Sequence, residues 1–445
     1  MLPKEENELL CRIGPGTTMG ELLRQYWIPG LPAAELPEPD CRPKRVRLLG
    51  ENMVAFRDSR GEAGMLAENC PHRGASLFFG RNEEAGLRCV YHGWKFDTAG
   101  HCVDMPNEPP DRRGTACRAP TDKVRARAYP CRDVNGMIWI YMGPRETPPP
   151  LPAFEINTLP ADHVLPPSIM LEENNWVQGL EGDIDSSHID WVHGRLHENV
   201  QLGQGLNRGF YSFDKRPRME VLSTPYGAVY SARRQWEENG PYWHRITQYI
   251  MPFFTMIAAS QPDRVHVRAW VPLDDNWNML ITMSGLLSRP VTDEERARAA
   301  NLFGPAGGYV EPTSDPTTRY YTKANLHNDF NIDYEAQKTR AVSGIPFAGN
   351  LQDRAMTETM GTIYDRSQEH LGTSDAMVIQ VRRALLAAAR ALQEDGAPPA
   401  NVDDPALCRV RPASILLPET VDWAKATEAA RSADSGVDIA YVAPR

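Results

Sequence analysis

Short alternations of polar and apolar residues dominate the first third of the chain. Residues 43–57 alternate around a Gly-Glu-Asn turn, which predicts a β-hairpin because successive side chains of a strand point to opposite faces. Further short runs follow, separated by turn residues such as Asn135-Gly136. We expect these runs to form strands at residues 88–91, 95–96, 126–129 and 137–142. The pattern predicts a small antiparallel β domain over residues 1–150, with an N-terminal helical arm.

A proline-rich stretch at residues 147–152 is the best candidate for a domain boundary. Beyond it we expect a helix at about 172–191 and then strands, including the runs at residues 226–235, 245–258 and 264–272. Helix-rich sequence returns at residues 292–303, 352–368 and 373–394. Strands flanked by helices indicate an α+β domain in which helices cover an antiparallel sheet. Residues 151–445 are thus predicted to form this second domain, with a C-terminal helical extension.

Composition and charge narrow the range of partners. The 445-residue chain has a net charge of −10, from 48 Lys+Arg against 58 Asp+Glu, and it contains no strongly basic run. We therefore expect no nucleic-acid partner. The N-terminus lacks the charged-then-apolar layout of a signal peptide, and no apolar run approaches the ~18 residues of a membrane span. We expect a cytoplasmic protein with no membrane partner, whose cysteines are reduced unless they bind metal.

Two short segments each combine one cysteine with one histidine. Cys70 and His72 lie in Cys-Pro-His-Arg-Gly, and Cys89 and His92 lie in Cys-Val-Tyr-His-Gly. This C-x-H…C-x-x-H spacing resembles a Rieske 2Fe–2S centre, in which two thiolates hold one iron and two imidazoles hold the other. The alternative is a structural zinc site, although zinc fingers usually pair Cys with Cys and His with His. The mixed pairs favour a one-electron carrier, with both ligand loops at hairpin tips.

A second set of possible metal ligands lies between residues 175 and 193. Asp185 and His188 are three residues apart, so they would share one face of a helix. His193 is five residues beyond His188, and an undistorted helix would turn the two ~140° away from each other. For both to bind one metal, we expect the helix to bulge or break near residues 189–192. The alternative is a solvated acidic helix with two capping histidines.

Taken together and in this order, these motifs resemble the oxygenase (α) subunit of a Rieske non-haem iron ring-hydroxylating oxygenase. Within that family the chain is similar to the phthalate dioxygenase group. The resemblance extends over nearly the whole chain and includes the later stretch Gln352-Asp353-x-Ala355…Glu358-x-Met360-Gly361. It implies an N-terminal antiparallel β Rieske domain followed by a catalytic domain of the helix-grip type.

The resemblance implies two cofactors, a Rieske 2Fe–2S cluster and a mononuclear Fe(II). The cluster ligands would be Cys70, His72, Cys89 and His92. The mononuclear iron would be held by two histidines, matched by His188 and His193, and by one carboxylate. Asp353 matches this carboxylate best, and Asp329 and Asp333 are the alternatives. Asp333 precedes a helix start and could be only an N-cap or first-turn residue.

The resemblance also implies how the chain assembles. Asp185 matches a bridging aspartate, which would accept hydrogen bonds from His188 and from His92 of a neighbouring copy and so connect two metal sites between subunits. This arrangement requires a homotrimer or a hexamer of stacked trimers. An NAD(P)H-dependent reductase would donate the electrons.

The implied reaction is the hydroxylation of an aromatic carboxylic acid, phthalate- or benzoate-like, with O₂. Arg208 and Arg245 are similar in placement to arginines that hold substrate carboxylates, and the guanidinium fork suits that task. Each could also be an ordinary surface arginine. The apolar run 249–256 could line the substrate pocket or form a core strand. Two other functions stay open: an O-demethylase or ether-cleaving monooxygenase of the same fold, acting on a methoxy- or phenoxy-benzoate, and a Rieske electron-transfer protein.

Overall fold

The computed structural model describes residues 2–108, 124–197, 214–258, 263–302, 308–346 and 350–442. Two short helices come first, α1 Lys4–Cys11 and α2 Thr18–Leu23. Among the described residues, no helix has both the length and the apolar character that a membrane crossing requires.

Eleven short strands follow in the described part of this first region. Their bounds are β1 Trp27–Pro32, β2 Lys44–Leu48, β3 Glu51–Arg57, β4 Ala63–Ala67, β5 Arg81–Glu83, β6 Gly86–Arg88, β7 Lys95–Phe96, β8 Cys102–Asp104, β9 Ala128–Tyr129, β10 Cys131–Val134 and β11 Met137–Tyr141. They form three antiparallel sheets with the strand orders β1-β11-β10, β2-β3-β4-β9 and β5-β6-β7-β8. The predicted antiparallel β fold of this region is confirmed.

The hairpin predicted at residues 43–57 is present, with its turn one residue earlier than expected. Strands β2 and β3 pair from Lys44↔Ala55 to Leu48↔Glu51, which leaves Leu49 and Gly50 as a two-residue turn. Both turn residues have positive φ, 47° and 77°. A two-residue turn of this kind matches the twist of the strands that it joins.

The second region contains eight described strands and a series of helices. The strands are β12 Ser168–Glu172, β13 Arg218–Thr224, β14 Gly227–Gln235, β15 Tyr242–Ile250, β16 Phe254–Met256, β17 Arg264–Pro272, β18 Asn278–Leu286 and β19 Ala413–Leu417. The helices are α3 Glu155–Thr158, α4 Trp176–Ile184, α5 Asp293–Leu302, α6 Tyr334–Thr339, α7 Leu351–Thr359, α8 Ala376–Asp395, α9 Ala400–Asp403 and α10 Trp423–Ala426. The helices and the antiparallel sheet together confirm the α+β prediction.

The eight strands form one sheet, in which seven follow the order β12-β18-β17-β16-β15-β14-β13 and β19 lies off this path. β19 pairs with the first half of β15, between Tyr242↔Leu417 and Ile246↔Ala413, whereas β16 pairs with the second half. The C-terminal tail therefore contributes a strand to the sheet, and not only the helical extension that we expected.

Three predicted elements are shorter in the structure than in the prediction. The helix expected at 172–191 covers only Trp176–Ile184, because β12 takes the preceding residues and the helix ends before the histidines. The helix expected at 352–368 ends at Thr359. The strand expected at 245–258 is interrupted after Ile250, where Pro252 has no N–H to donate to a sheet ladder.

Helix α4 is held by a buried group of charged residues. Glu181 accepts hydrogen bonds from Arg366 at 2.9 Å and from Arg382 at 2.6 Å. Burial, the largest single influence, raises the pKa of Glu181, but the two guanidinium charges outweigh it and lower the pKa. Arg382 also binds Glu369. This network connects α4 to α8 and to the loop that follows α7.

Helix α4 also packs closely on the sheet at Gly179. A Cβ atom at this position would lie 2.2 Å from Cζ3 of the buried Trp270 on β17, so no larger residue fits without displacing the ring. Gly182, on the same helix, has only the Thr357 side chain nearby, at 3.5 Å from its Cβ position. The two glycines thus differ in packing but not in secondary structure.

We predict that Gly179→Ala lowers the free energy of unfolding by about 1–3 kcal/mol, because it overpacks the contact with Trp270. Gly182→Ala is the matched control and should leave stability unchanged or raise it by up to about 1 kcal/mol, since alanine favours a helix. Chemical denaturation of both variants measures the difference. Equal effects of the two substitutions would contradict the close packing at Gly179.

Candidate metal centres

The two Cys-His segments form a pair of matching loops. In each loop the cysteine N–H donates to the carbonyl of a residue five positions on, and a glycine N–H donates back to the cysteine carbonyl. The four N···O distances are 2.8 Å for Cys70–Ala75, 2.8 Å for Gly74–Cys70, 2.8 Å for Cys89–Trp94 and 2.9 Å for Gly93–Cys89. Both glycines have φ near +80°, a conformation that other residues rarely adopt.

The loops bring all four predicted cluster ligands to one end of this region. The side chains of Cys70 and Cys89 are buried, whereas the rings of His72 and His92 are half-buried and lie 4.5 Å apart between centroids. Burial raises the pKa of the Cys70 thiol to about 11, so this thiol would ionise near neutral pH only beside a bound cation. Two sulfur and two nitrogen donors, with the nitrogens nearer the surface, fit a Rieske cluster.

The structure also brings together His188, His193 and Asp353. The Nε2 atoms of His188 and His193 lie 3.2 Å and 2.8 Å from Oδ1 of Asp353, and the three ligand atoms lie within 4.8 Å of one another. Within the described residues this is the one group of at least three His, Cys, Asp or Glu side chains whose ligand atoms all lie this close together. The donor set fits the two-histidine, one-carboxylate site of a non-haem Fe(II).

The backbone that presents the two histidines is not helical in the way we predicted. Helix α4 already ends at Ile184, so the predicted break near residues 189–192 is wrong in position. Asp185 has an extended backbone, and its side chain accepts hydrogen bonds from the N–H groups of Ser187 and His188. The carboxylate thus starts a short 3₁₀ turn at His188–Asp190. This turn allows both imidazoles to reach the same carboxylate.

Each histidine is oriented by an acceptor at its other ring nitrogen. Nδ1 of His188 lies 3.1 Å from Oδ2 of Asp185, and Nδ1 of His193 lies 2.6 Å from Oε1 of Gln352. The Gln352 amide is itself fixed, because its NH₂ group donates to the Ile345 carbonyl at 2.8 Å. Its oxygen must therefore accept a hydrogen bond from Nδ1–H, so that the lone pair of the imidazole is on Nε2, the atom beside Asp353 that would bind a metal.

Gln352 is a site residue that the sequence interpretation missed. The residue belongs to the quoted Gln-Asp stretch on α7, but only Asp353 received a role. An amide has no characteristic spacing to a metal site, so its contact with His193 emerges only from the folded structure.

The electrostatics of the triad fit a cation site. The two imidazoles hold the pKa of Asp353 well below its usual range, although burial, the largest single influence, acts in the opposite direction. For His188, burial lowers the pKa, but the hydrogen bonds to Asp185 and Asp353 outweigh it and raise the pKa to about 9. The carboxylates therefore favour a positive charge at this position, which a metal ion would supply in place of a proton.

The two alternative carboxylates are located elsewhere. Asp333 is the N-cap of α6 and accepts hydrogen bonds from the N–H groups of Glu335 and Ala336. Asp329 lies in the irregular turn Leu326–Asn331 with φ of 50°. Neither belongs to the group around His188.

One face of the large sheet faces the metal triad. On β14, Arg234 donates from Nε to Asp190 at 2.9 Å, and Asp190 closes the turn that begins with His188. Arg245 of β15 is directly opposite Ala232, two residues from Arg234, and therefore shares this face. Arg245 is 9% exposed, and its Nη1 has no hydrogen-bond partner among the described residues. Arg208, the other predicted substrate arginine, lies outside the described residues.

The apolar run 249–256 contributes to both faces of the sheet. The ring of Tyr249 shares the metal face with Thr255, which binds Asp183 of α4. Phe254 points the other way, and its ring lies 4.9 Å from that of Phe154. Tyr249, Phe253 and Phe254 are all buried in the main core, so this part of the run is a core segment.

Family models and known proteins match this architecture. Residues 26–129 match the Rieske [2Fe-2S] domain, and residues 140–441 match the "LigXa C-terminal domain like" family. The chain is 38% identical to the 3-chlorobenzoate-3,4-dioxygenase oxygenase subunit of Comamonas testosteroni, over 95% of this chain and 97% of the relative. It is 35% identical to the phthalate 4,5-dioxygenase oxygenase subunit of Pseudomonas putida, over 95% and 94%.

More distant matches extend the comparison. The chain is 31% identical to the 5,5'-dehydrodivanillate O-demethylase oxygenase subunit of a Sphingobium strain, over 93% of this chain and 86% of the relative. Among solved structures, the reduced oxygenase–ferredoxin complex of carbazole 1,9a-dioxygenase has a TM-score of 0.53 at 20% identity, over 86% of this chain and 94% of that one.

The fold, the two Cys-His loops and the His-His-Asp triad agree with these matches over nearly the whole chain. The relatives are oxygenase components, and the solved structure of this fold is bound to a ferredoxin. The chain belongs to the Rieske non-haem iron oxygenases, as an oxygenase subunit with a Rieske 2Fe–2S domain and a mononuclear iron domain.

Proposed function

We propose that this oxygenase hydroxylates an aromatic carboxylic acid of the benzoate or phthalate type. The observation that carries the proposal is the buried Arg245, whose Nη1 has no partner on the sheet face that faces the triad. A buried guanidinium without an acceptor is costly, and a substrate carboxylate would satisfy it. The names of the two relatives above 30% identity that act on 3-chlorobenzoate and phthalate support the same class of substrate.

The two regions of the chain divide the work in this proposal. Residues 1–150 would hold the cluster at Cys70, His72, Cys89 and His92 and receive electrons that an NAD(P)H-dependent reductase supplies. Residues 151–445 would hold iron at His188, His193 and Asp353. The bound iron supplies the activation of O₂, while the protein positions the ring and limits access of water. We also propose that the enzyme works in the cytoplasm.

Asp185 would connect the two sites between subunits of a trimer or of a hexamer of stacked trimers. Its Oδ2 accepts from Nδ1 of His188, and its side chain is 24% exposed, so a second donor can approach from outside the chain. His92 is a suitable donor, because its ring is half-buried and its neighbour Tyr91 is exposed. A hydrogen bond from His92 of the partner subunit to Asp185 would provide the electron route.

Two reaction outcomes are compatible with the site. In dioxygenation, both atoms of O₂ enter the ring with two electrons and two protons, giving a cis-dihydrodiol. In O-demethylation of a methoxybenzoate, one oxygen atom leaves as water and the methyl group leaves as formaldehyde. The 31% identity to an O-demethylase oxygenase subunit favours keeping the second outcome as a candidate.

The experiment that tests the proposal measures O₂ uptake by the iron-loaded oxygenase with a surrogate reductase. The substrates are benzoates, phthalates and methoxybenzoates, and the matching benzamides serve as uncharged controls. We expect uptake coupled to product with acids only, and formaldehyde release separates demethylation from ring dioxygenation. Equal uptake with acids and amides would contradict recognition of a carboxylate.

We predict that Asp353→Ala removes the mononuclear iron and leaves the 2Fe–2S cluster in place, because the triad loses its carboxylate. Metal analysis gives the iron content, and electron paramagnetic resonance of the reduced protein shows the cluster. Asp333→Asn is the matched control and should keep all the iron, since asparagine also caps a helix. Loss of iron in the control alone would assign the third ligand to Asp333.

We predict that Asp185→Asn keeps both metals and lowers turnover at least 10- to 100-fold, the usual cost of losing a residue that orients a metal ligand. Ser187 N–H donates to Oδ1 of Asp185 and His188 N–H to Oδ2, so the single asparagine oxygen keeps one of the two bonds, which should preserve the turn. Product formed per reduced cluster measures the effect, and sedimentation confirms the assembly. Undiminished turnover would refute the bridging role.

We predict that Arg245→Leu raises the KM for the acid substrate roughly 10- to 100-fold, the effect of losing a hydrogen bond to a charged group. Iron content should stay unchanged, and stability should not fall, because an unpaired buried charge is removed. Arg233→Leu is the control: this residue is next to Arg234 on β14 and faces the opposite side of the sheet. A similar rise in KM for both variants would contradict a specific role of Arg245.

A further inference from the structure

Two hydroxyl groups beside Arg245 have no assigned role in the reaction. Tyr230 on β14 and Thr247 on β15 are directly opposite each other in the antiparallel pair, on the sheet face that carries Arg245. Side chains opposed in this way have Cβ atoms about 5 Å apart. Thr247 is two residues from Arg245 on the same strand, about 7 Å along it. The three side chains therefore form one patch.

All three side chains in this patch have an unsatisfied polar atom. Tyr230 and Thr247 are both fully buried. By distance and angle, the hydroxyl oxygens of both and Nη1 of Arg245 have no hydrogen-bond partner among the residues that the structure describes, although the two hydroxyls lie close enough to interact with each other. Buried polar groups are nearly always hydrogen-bonded, and a cluster of exceptions on one face indicates an absent ligand or water.

The charges on the same face indicate which ligand fits. Arg234 is paired with Asp190 at 2.9 Å, and Arg268 with Asp183 at 2.8 Å. Burial lowers the pKa of His266 to about 3, helped by the nearby arginines, so this imidazole is neutral. Arg245 has no such counter-ion among the described residues. Its charge favours an anion at the patch.

We propose that the hydroxyls of Tyr230 and Thr247 donate to the same substrate carboxylate that binds Arg245. Three donors on one sheet face would then form a carboxylate subsite, and a carboxylate has enough lone pairs to accept all three hydrogen bonds. The inference rests on the proposed function and deepens it, because it assigns one carboxylate of the substrate to a fixed position on β14 and β15. The two hydroxyl residues are positioning residues, remote from the chemical step.

This arrangement would select for the charge on the substrate as well as its shape. An amide or ester in place of the carboxylate would bring fewer acceptors to the guanidinium and both hydroxyls. A site built to satisfy buried polar groups rejects analogues that leave them unpaired. Aromatic acids should thus bind more tightly than their amides, and the hydroxyls should contribute to that preference.

The test uses Tyr230→Phe and Thr247→Val in the iron-loaded oxygenase. Calorimetry measures the Kd for benzoate and for phthalate, and steady-state assays separate KM from kcat. For whichever acid the wild type binds, we expect each variant to raise the Kd roughly tenfold or more, with kcat little changed. The melting temperature of ligand-free Thr247→Val should change little, because the lost hydroxyl makes no hydrogen bond of normal geometry among the described residues.

Ser231→Ala is the matched control. Ser231 is adjacent to Tyr230 but faces the opposite side of the sheet, where it makes a hydrogen bond of 2.9 Å with His244. Its loss should lower the melting temperature and leave the Kd unchanged, the reverse of the expectation for Thr247→Val. If the wild type binds neither acid, the proposed function fails together with this inference. If the wild type binds and both hydroxyl variants keep its Kd, the inference alone is overturned, and water occupies the patch.

Discussion

The whole catalytic half depends on the contact of two imidazoles with one carboxylate. His188 and His193 follow α4, whereas Asp353 lies on α7, so the two helices must be held at a fixed separation. Gln178 of α4 makes that connection, since its amide donates to the carbonyls of Thr357 at 3.0 Å and Gly361 at 2.8 Å. These bonds join one of the two segments to the backbone of the other and so restrict how far the triad can open.

The position of the triad above the sheet follows from paired buried charges. Asp183 and Asp190 lie on either side of His188 in the sequence, and each pairs with an arginine of the sheet, Arg268 and Arg234. Removing one partner of either pair would leave an unpaired charge in the interior. The cost of that charge is far larger than the net stabilisation from the pair. The pairs therefore fix the sheet relative to the metal segment. Arg245 differs from those arginines, since it has no acidic partner in the part of the chain that the structure describes.

Features that depend on residues close together in the sequence were predicted more accurately than features that depend on contacts between distant segments. The Cys-His loops lie within a single stretch of short strands, so spacing and glycines were sufficient to identify them. Asp353 was identified through a family motif, because nothing in its own neighbourhood distinguishes it from Asp333. The prediction placed the end of the helix too late in the sequence. It put Asp185 on one face of a continuing helix, whereas the Asp185 carboxylate caps the next turn. Gln352 was missed because its role depends on contacts with Ile345 and His193 that exist only in the folded chain.

The two metal sites differ in how they are enclosed, and this difference bears on electron flow. The proposed cluster ligands His72 and His92 lie near the surface, and Val90 and Tyr91 beside them are 58% and 55% exposed. The triad lies between α4, α7 and the sheet, and the side chains of His188 and Asp185 are 25% and 24% exposed, with one oxygen of Asp185 already bound to His188. Asp185 is a half-buried hydrogen-bond acceptor beside one proposed metal site, and His92 is a half-buried donor at the other, so the two are chemically complementary. A contact between the two on neighbouring copies of the chain would need no opening of either core, which is consistent with the proposed electron path between subunits.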